Sequence, residues 1–267
     1  MKQVNWYQIF GNTHKIPDGR TVLPTDDIQI LLNCANIWDK AYTTIAQLLA
    51  DTTSLMTVIS DNNAIDYLVR STTFASSVTA DSSAMTYIGQ NNYAANTLIA
   101  DETWCEAFCG SEYAKSVFNI YVPKMTDNTH PSGVASASSI YAGDVSLYGA
   151  WRAFDGNDVG GTPLASTQQA SHGWLQYQFT EPVIIKAVHY KGQDSLWSSR
   201  NPSGYLQGSN DGVTYDNIKA VNYRSAQIID DAIENSNSYN RYRFYNSSSS
   251  SEYLTAATIQ FYGRKDV

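Results

Sequence analysis

This chain is poor in histidine, cysteine and proline: 4, 3 and 7 residues in 267. The four histidines (His14, His130, His172, His189) are scattered, and no pair has the H-x-x-x-H spacing that puts two ligands on one helix face. There is no phosphate-cradling glycine loop and no Gly-x-Ser-x-Gly elbow. The carboxylate pairs Asp26-Asp27 and Asp230-Asp231 are adjacent, and adjacent residues of a strand point to opposite faces. The residues therefore argue against an enzyme. Cys34, Cys105 and Cys109 make no paired framework and read as small buried apolar groups. The opening MKQVNWYQIF has no apolar signal core, and no run is long enough to span a bilayer. The expectation is a chain made in a reducing cytoplasm and not inserted in a membrane. A net charge of −8 argues against a nucleic-acid partner.

What the chain has instead is a ten-residue period, repeated seven times between Ala50 and Asn119. Position 2 is a helix-capping residue: Asp51, Asp61, Ser71, Asp81, Asn91, Asp101, Ser111. Position 9 is apolar: Val58, Leu68, Val78, Ile88, Leu98, Phe108, Phe118. Positions 5 and 6 are mostly small or apolar, as in Ala64-Ile65, Ala84-Met85 and Trp104-Cys105. Ten residues of unbroken helix would turn through roughly 1000°, about 80° short of three turns, and would smear these positions around the circumference. A break at each cap solves this, leaving helices of about two turns, roughly 12 Å long. Such helices are unstable alone and must stack. The caps also account for much of the acidic charge. Residues from Asp26 to Ala50 read as a longer, ordinary helical entry to the stack.

Composition shifts after Asn119. The stretch 120–134, with Pro123 and Pro131, reads as a linker. Beyond it, Leu175, Tyr177 and Phe179 alternate with Gln176 and Gln178. Tyr242 and Phe244 alternate with Arg241 and Arg243, and Ala257, Ile259 and Phe261 with Thr258, Gln260 and Tyr262. Period two with turn-rich breaks, such as Asn210-Asp211-Gly212, predicts an antiparallel β-sandwich. The organisation expected is multidomain: an anchor segment 1–25, α-helical short repeats over 26–119, the linker, and a jelly-roll sandwich over 135–267. The aromatics of 1–25 (Trp6, Tyr7, Phe10) would anchor the chain or belong to the core of a small N-terminal unit.

Five pieces in order carry a resemblance. They are Ala135-Ser136, Ala153-Phe154-Asp155-Gly156, Trp174-Leu175-Gln176-Tyr177, Gly208 to Gly212 with Tyr215, and Thr258 to Gly263. Together, over about 123–264, they resemble the discoidin or coagulation-factor C-type domain of the galactose-binding-like jelly rolls. The family's terminal disulfide is missing. Gln178 stands where the family has Asp, and Gln260 where it has the Glu that helps hold a structural calcium. The resemblance still leaves Asp155 and Asp158 as oxygen ligands for calcium. Sugar-binding relatives use an aromatic platform with Arg, His and Asn. Here Trp197, Arg200 and Asn201 of the loop SLWSSRNP, with His172, make the corresponding ligand site. The alternative is that Arg200 is a solvated charge and Trp197 caps the sandwich. Trp151 and Trp174 read as core.

The capped repeats, with the entry over 22–50, resemble structural proteins of tailed bacteriophages. This implies a virion component assembled in the bacterial cytoplasm, with other capsid or tail proteins as partners and homo-oligomers in the particle. Its sandwich would bind host or environmental glycans. The alternative is a purely structural decoration whose sandwich mediates protein packing.

Overall fold

The repeat's capping residues cap. In the computed structural model, which describes residues 27–193, 203–222, 228–249 and 251–264, Asp51 Oδ1 accepts from the backbone N–H groups of Thr53 and Ser54 at 3.1 and 3.2 Å. Asp61 and Asp101 do the same for their own helices, and Asp81 and Asn91 each accept from one such N–H, of Ala84 and Ala94. Each cap, in extended backbone, satisfies donors that a helix start leaves open, and Asp51, Asp61 and Asn91 also end the preceding helix.

The chain divides into two units, residues 1–117 and 118–267. The described helices of the first are α1 (Asp27–Cys34), α2 (Ile45–Ala50), α3 (Thr52–Ser60), α4 (Asn62–Leu68), α5 (Ala75–Thr79), α6 (Ser82–Gln90), α7 (Asn92–Ile99), α8 (Glu102–Cys109) and α9 (Ala114–Val117). The region before the repeats departs from expectation. Instead of one long helix it forms α1 and α2, with non-helical chain between them and Asn36 at φ +57°. The unit at Ser71 also departs. Its hydroxyl makes no cap bond, and the helix starts as a 3₁₀ turn, Thr72–Phe74.

Every helix from α4 to α9 packs on the helix three places earlier: α4 on α1, α5 on α2, and so on to α9 on α6. Three units thus close one turn of a helical solenoid, thirty residues per turn. Positions 5, 6 and 9 face its axis: Ala64, Ile65 and Leu68, Ala84, Met85 and Ile88, Trp104, Cys105 and Phe108 are all 0–2% exposed. Burying each such large side chain contributes about 1.5–3 kcal/mol. Turns are also stitched by polar groups, with Asn91 Nδ2 donating to Ile59 O at 2.7 Å and Ser111 Oγ donating to Thr79 O. Gly89 lies against the next turn, where an added Cβ would stand 1.9 Å from Ser116 O. All three cysteines are buried and in no disulfide, as expected. Burial raises the Cys34 thiol to about 11, which keeps it protonated and inert.

In the second unit the described strands are β1 (Ile120–Tyr121), β2 (Val134–Ala137), β3 (Ala165–Ser166), β4 (Trp174–Val183), β5 (Ile185–Lys191), β6 (Ser203–Ser209), β7 (Asp216–Asn222), β8 (Ile228–Ala232), β9 (Tyr239–Asn246), β10 (Thr255–Ala256) and β11 (Thr258–Gly263). They form an antiparallel sandwich with sheets ordered β1-β11-β5-β8 and β2-β4-β9-β6-β7, plus the pair β10-β3. The predicted alternation sets the core: Leu175, Tyr177, Phe179, Tyr242, Phe244, Ile259 and Phe261 are buried together. The residues expected as a linker belong to this unit. Ile120 and Tyr121 pair with Gly263 and Tyr262, and Val122 and Met125 are core. Phe118, counted above as the last repeat position, stacks on Tyr262 at 4.6 Å. Prolines obscured this segment because they remove strand donors without preventing burial.

Candidate functional site

Strand directions bring several chain segments to one end of the sandwich. β4 starts there at Trp174, and β5, which follows β4 directly, returns there at Lys191. β6 runs antiparallel to β9, which runs antiparallel to β4, so β6 also starts there, at Ser203. Backbone bonds lace the rim: Asn246 N–H donates to Gly173 O at 2.8 Å, and Ser247 N–H to Ser203 O at 3.2 Å.

His172 sits on this rim, two residues before β4, and is exposed. Its backbone is left-handed, φ +63°. That conformation is costly without glycine and is concentrated at functional positions. The Tyr245 hydroxyl and His172 Nδ1 share a hydrogen bond at 2.9 Å, and the two rings are nearly parallel, 9° apart with centroids at 5.8 Å. With Nδ1 engaged, Nε2 is the ring nitrogen left to face solvent. Trp197, Arg200 and Asn201, the other predicted ligand residues, lie outside the described residues; the chain that carries them starts after β5 and ends at β6.

From the rim, an aromatic and guanidinium row runs over the outer face of the five-stranded sheet. Period two turns Trp174 and Gln176 of β4, Arg241, Arg243 and Tyr245 of β9, and Tyr205 and Gln207 of β6 to this side. Register places Gln176, Arg243 and Gln207 side by side, with Trp174, Tyr245 and Tyr205 in the next row. The Arg243 guanidinium lies over the Tyr215 ring, 3.3 Å from its centroid, and 5.1 and 5.9 Å from those of Tyr245 and Trp174. Arg243 Nε donates to Gln207 Oε1 at 2.8 Å, and the Tyr215 hydroxyl to Gln176 Oε1 at 2.6 Å. Partial burial lowers the Arg243 pKa without removing its charge. Trp174 was expected in the core and instead stands half-buried in this row. The period-two pattern places it with Gln176, opposite the buried Leu175; its size alone suggested burial. Trp151 is partly buried against the core, as expected, with the Arg152 guanidinium 3.8 Å over its ring. Alternation showed the outward side of β9, but the link between Arg243 and Tyr215 depends on a turn between β6 and β7 that periodicity does not resolve.

The calcium reading does not fit the donors. Asp155 Oδ1 accepts from Asn157 N–H at 2.8 Å, and Oδ2 is 3.4 Å from Arg152 Nη1. Lys191 Nζ donates to the Asp158 carbonyl at 2.6 Å and is 3.9 Å from its carboxylate, while His189 Nε2 is 3.7 Å away. The cationic neighbours are already built in. Gln260 presents its amide as a donor, to Val122 O at 3.0 Å. Among the described residues no three His, Cys, Asp or Glu side chains gather as a metal site. No described helix is long and apolar enough to cross a membrane.

No family model and no curated protein matches this chain. Solved structures similar to it include the F5/8 type C domain of a Bacteroides fragilis protein, at 22% identity over 49% of this chain and 91% of that one, TM-score 0.41. Another is the lectin domain of lectinolysin complexed with Lewis B antigen, at 17% identity over 52% and 97%, TM-score 0.40. A third is a Streptococcus pneumoniae fucose binding module, at 18% identity over 51% and 94%, TM-score 0.41.

Proposed function

We propose that this chain is a non-enzymatic structural protein whose discoidin-like sandwich binds glycans and whose solenoid serves as the spacer or docking element. The observation that carries the reading is His172: an exposed imidazole on a left-handed backbone, with its ring bonded to Tyr245. It lies on the rim from which the chain bearing Trp197, Arg200 and Asn201 departs and to which it returns. An aromatic ring covers the apolar C–H face of a pyranose, and Arg, Asn and His satisfy its hydroxyls. The capped repeat supports a spacer or docking role on a larger assembly, which we take to be a tailed-phage particle, with residues 1–25 as the anchor.

A glycan array probed with the full chain, followed by titration of the hits, tests the binding reading. Trp197→Ala and His172→Ala are expected to weaken binding tenfold or more, about 1.4 kcal/mol, with the melting temperature kept. Absence of binding at millimolar sugar would overturn it. The particle reading predicts that deleting residues 1–25 releases the protein from purified particles; continued incorporation refutes the anchor.

A further inference from the structure

The row on the outer face of the five-stranded sheet begins at the rim, where Tyr245 bonds His172, and runs away from it across β4, β9 and β6. Arg243 and Arg241 lie two residues apart on one strand, about 7 Å along it, and face the same side. Neither has a carboxylate within ion-pair distance among the described residues. They donate to neutral acceptors: Arg243 to Gln207 Oε1, and Arg241 to Asn210 O and Asn240 Oδ1. Arg152 of the same unit, by contrast, pairs with Asp155. Arg243 is also fixed before any ligand arrives, by its stack on Tyr215 and its bond to Gln207, so little side-chain freedom is lost on pairing.

Beside this fixed cation lie Trp174 and Tyr245, both partly exposed, with exposed His172 at the end of the row. An aromatic surface next to an unneutralised planar guanidinium suits a ring with one apolar C–H face and a carboxylate at its edge. The carboxylate would accept a bidentate pair from the guanidinium. We infer that this sheet face binds acidic sugars, hexuronate units of an anionic polysaccharide, with Arg243 as the carboxylate partner and Trp174 and Tyr245 as the stacking platform. The inference rests on the reading of the second unit as a sugar-binding module, and it adds a second surface and a charge preference.

Calorimetric titration of the full chain with trigalacturonate and with its neutral methyl ester tests it. A charge-assisted pair predicts at least about tenfold tighter binding of the acid, weakening as salt rises. Arg243→Gln should remove the difference between acid and ester. Trp197→Ala should leave it intact. Trp174→Ser, at the partly exposed platform, should weaken both ligands and serves if Arg243→Gln does not fold. Equal affinity for acid and ester, or a preference that survives Arg243→Gln, overturns the inference. If neutral glycans still bind through Trp197, the proposed function stands without it. If neither acid, ester nor any arrayed glycan binds, both fall.

Discussion

Asn91 spans one turn of the solenoid: its Nδ2 donates to the carbonyl of Ile59, 32 residues earlier, at 2.7 Å, while its Oδ1 caps its own helix through Ala94 N–H. Ser111 repeats the arrangement at the same offset, donating to Thr79 O and accepting from Tyr113 N–H. One side chain thus both starts a helix and ties it to the turn beneath. Aspartate, which most units use at this position, can do only the first. Asn91→Asp keeps the cap and turns a carboxylate oxygen toward the Ile59 carbonyl, so it should destabilise the first unit by about 1–3 kcal/mol. Denaturant unfolding followed by circular dichroism reads this; an unchanged midpoint would show that the inter-turn bond contributes nothing.

Trp104 is fully buried, and its Nε1–H has no acceptor among the described residues. The indole is there for its volume against Phe108, 6.0 Å away. Trp104→Phe removes an unsatisfied donor and should cost less than Trp104→Ala, for which about 3–5 kcal/mol is expected. Similar losses for both variants would mean that the N–H is satisfied in solution.

The stability of the second unit should fall in acid. Backbone N–H groups of Val213 and Thr214 hold Asp211 at about 2, and those of Thr129 and His130, with the Thr129 hydroxyl and the His130 ring, hold Asp127 at about 2. Both folded-state values lie below the ordinary 3.8, so their contribution is complete above that value and is lost as pH falls toward 2. Melting temperatures between pH 5 and 2, on the order of the window set by these groups, should decline, and Asp211→Asn should flatten the decline. An unaltered pH slope in that variant refutes the assignment.

Calcium at about 1 mM, within the range of weak extracellular sites, should leave the melting temperature unmoved, because Lys191 already sits on the Asp158 carbonyl. A rise with calcium that chelator reverses would restore the calcium reading. Lys191→Met, which clears the cation from Asp158, is the variant in which such a rise would first be expected.

Much of this architecture is written in short-range pattern. The caps, the inward positions and the strand faces depend on neighbours within one helix or strand, where periods of 3.6 and 2 act directly. What the pattern hides is closure at a distance. Nothing within a ten-residue unit says that the fourth unit will lie on the first; that follows from the angle at each cap, seen in the Asn91–Ile59 bond. The segment 120–134 is a second case, since Val122 and Met125 enter the core without any periodic signature. At the candidate site, His172 was legible as a residue type, but its left-handed backbone and the Tyr245 bond required strand register, 73 residues apart. The Trp174 side chain shows the opposite error, where large apolar size outweighed a face assignment that alternation had already made.

Three units per turn makes the solenoid a counting device. Removing ten residues from it turns the point where the chain leaves the stack by about a third of a revolution, while removing thirty shortens the stack and keeps that azimuth. Length and heading are therefore separately adjustable, in steps set by the caps. Chains that differ by whole turns would leave the stack at the same azimuth and different heights.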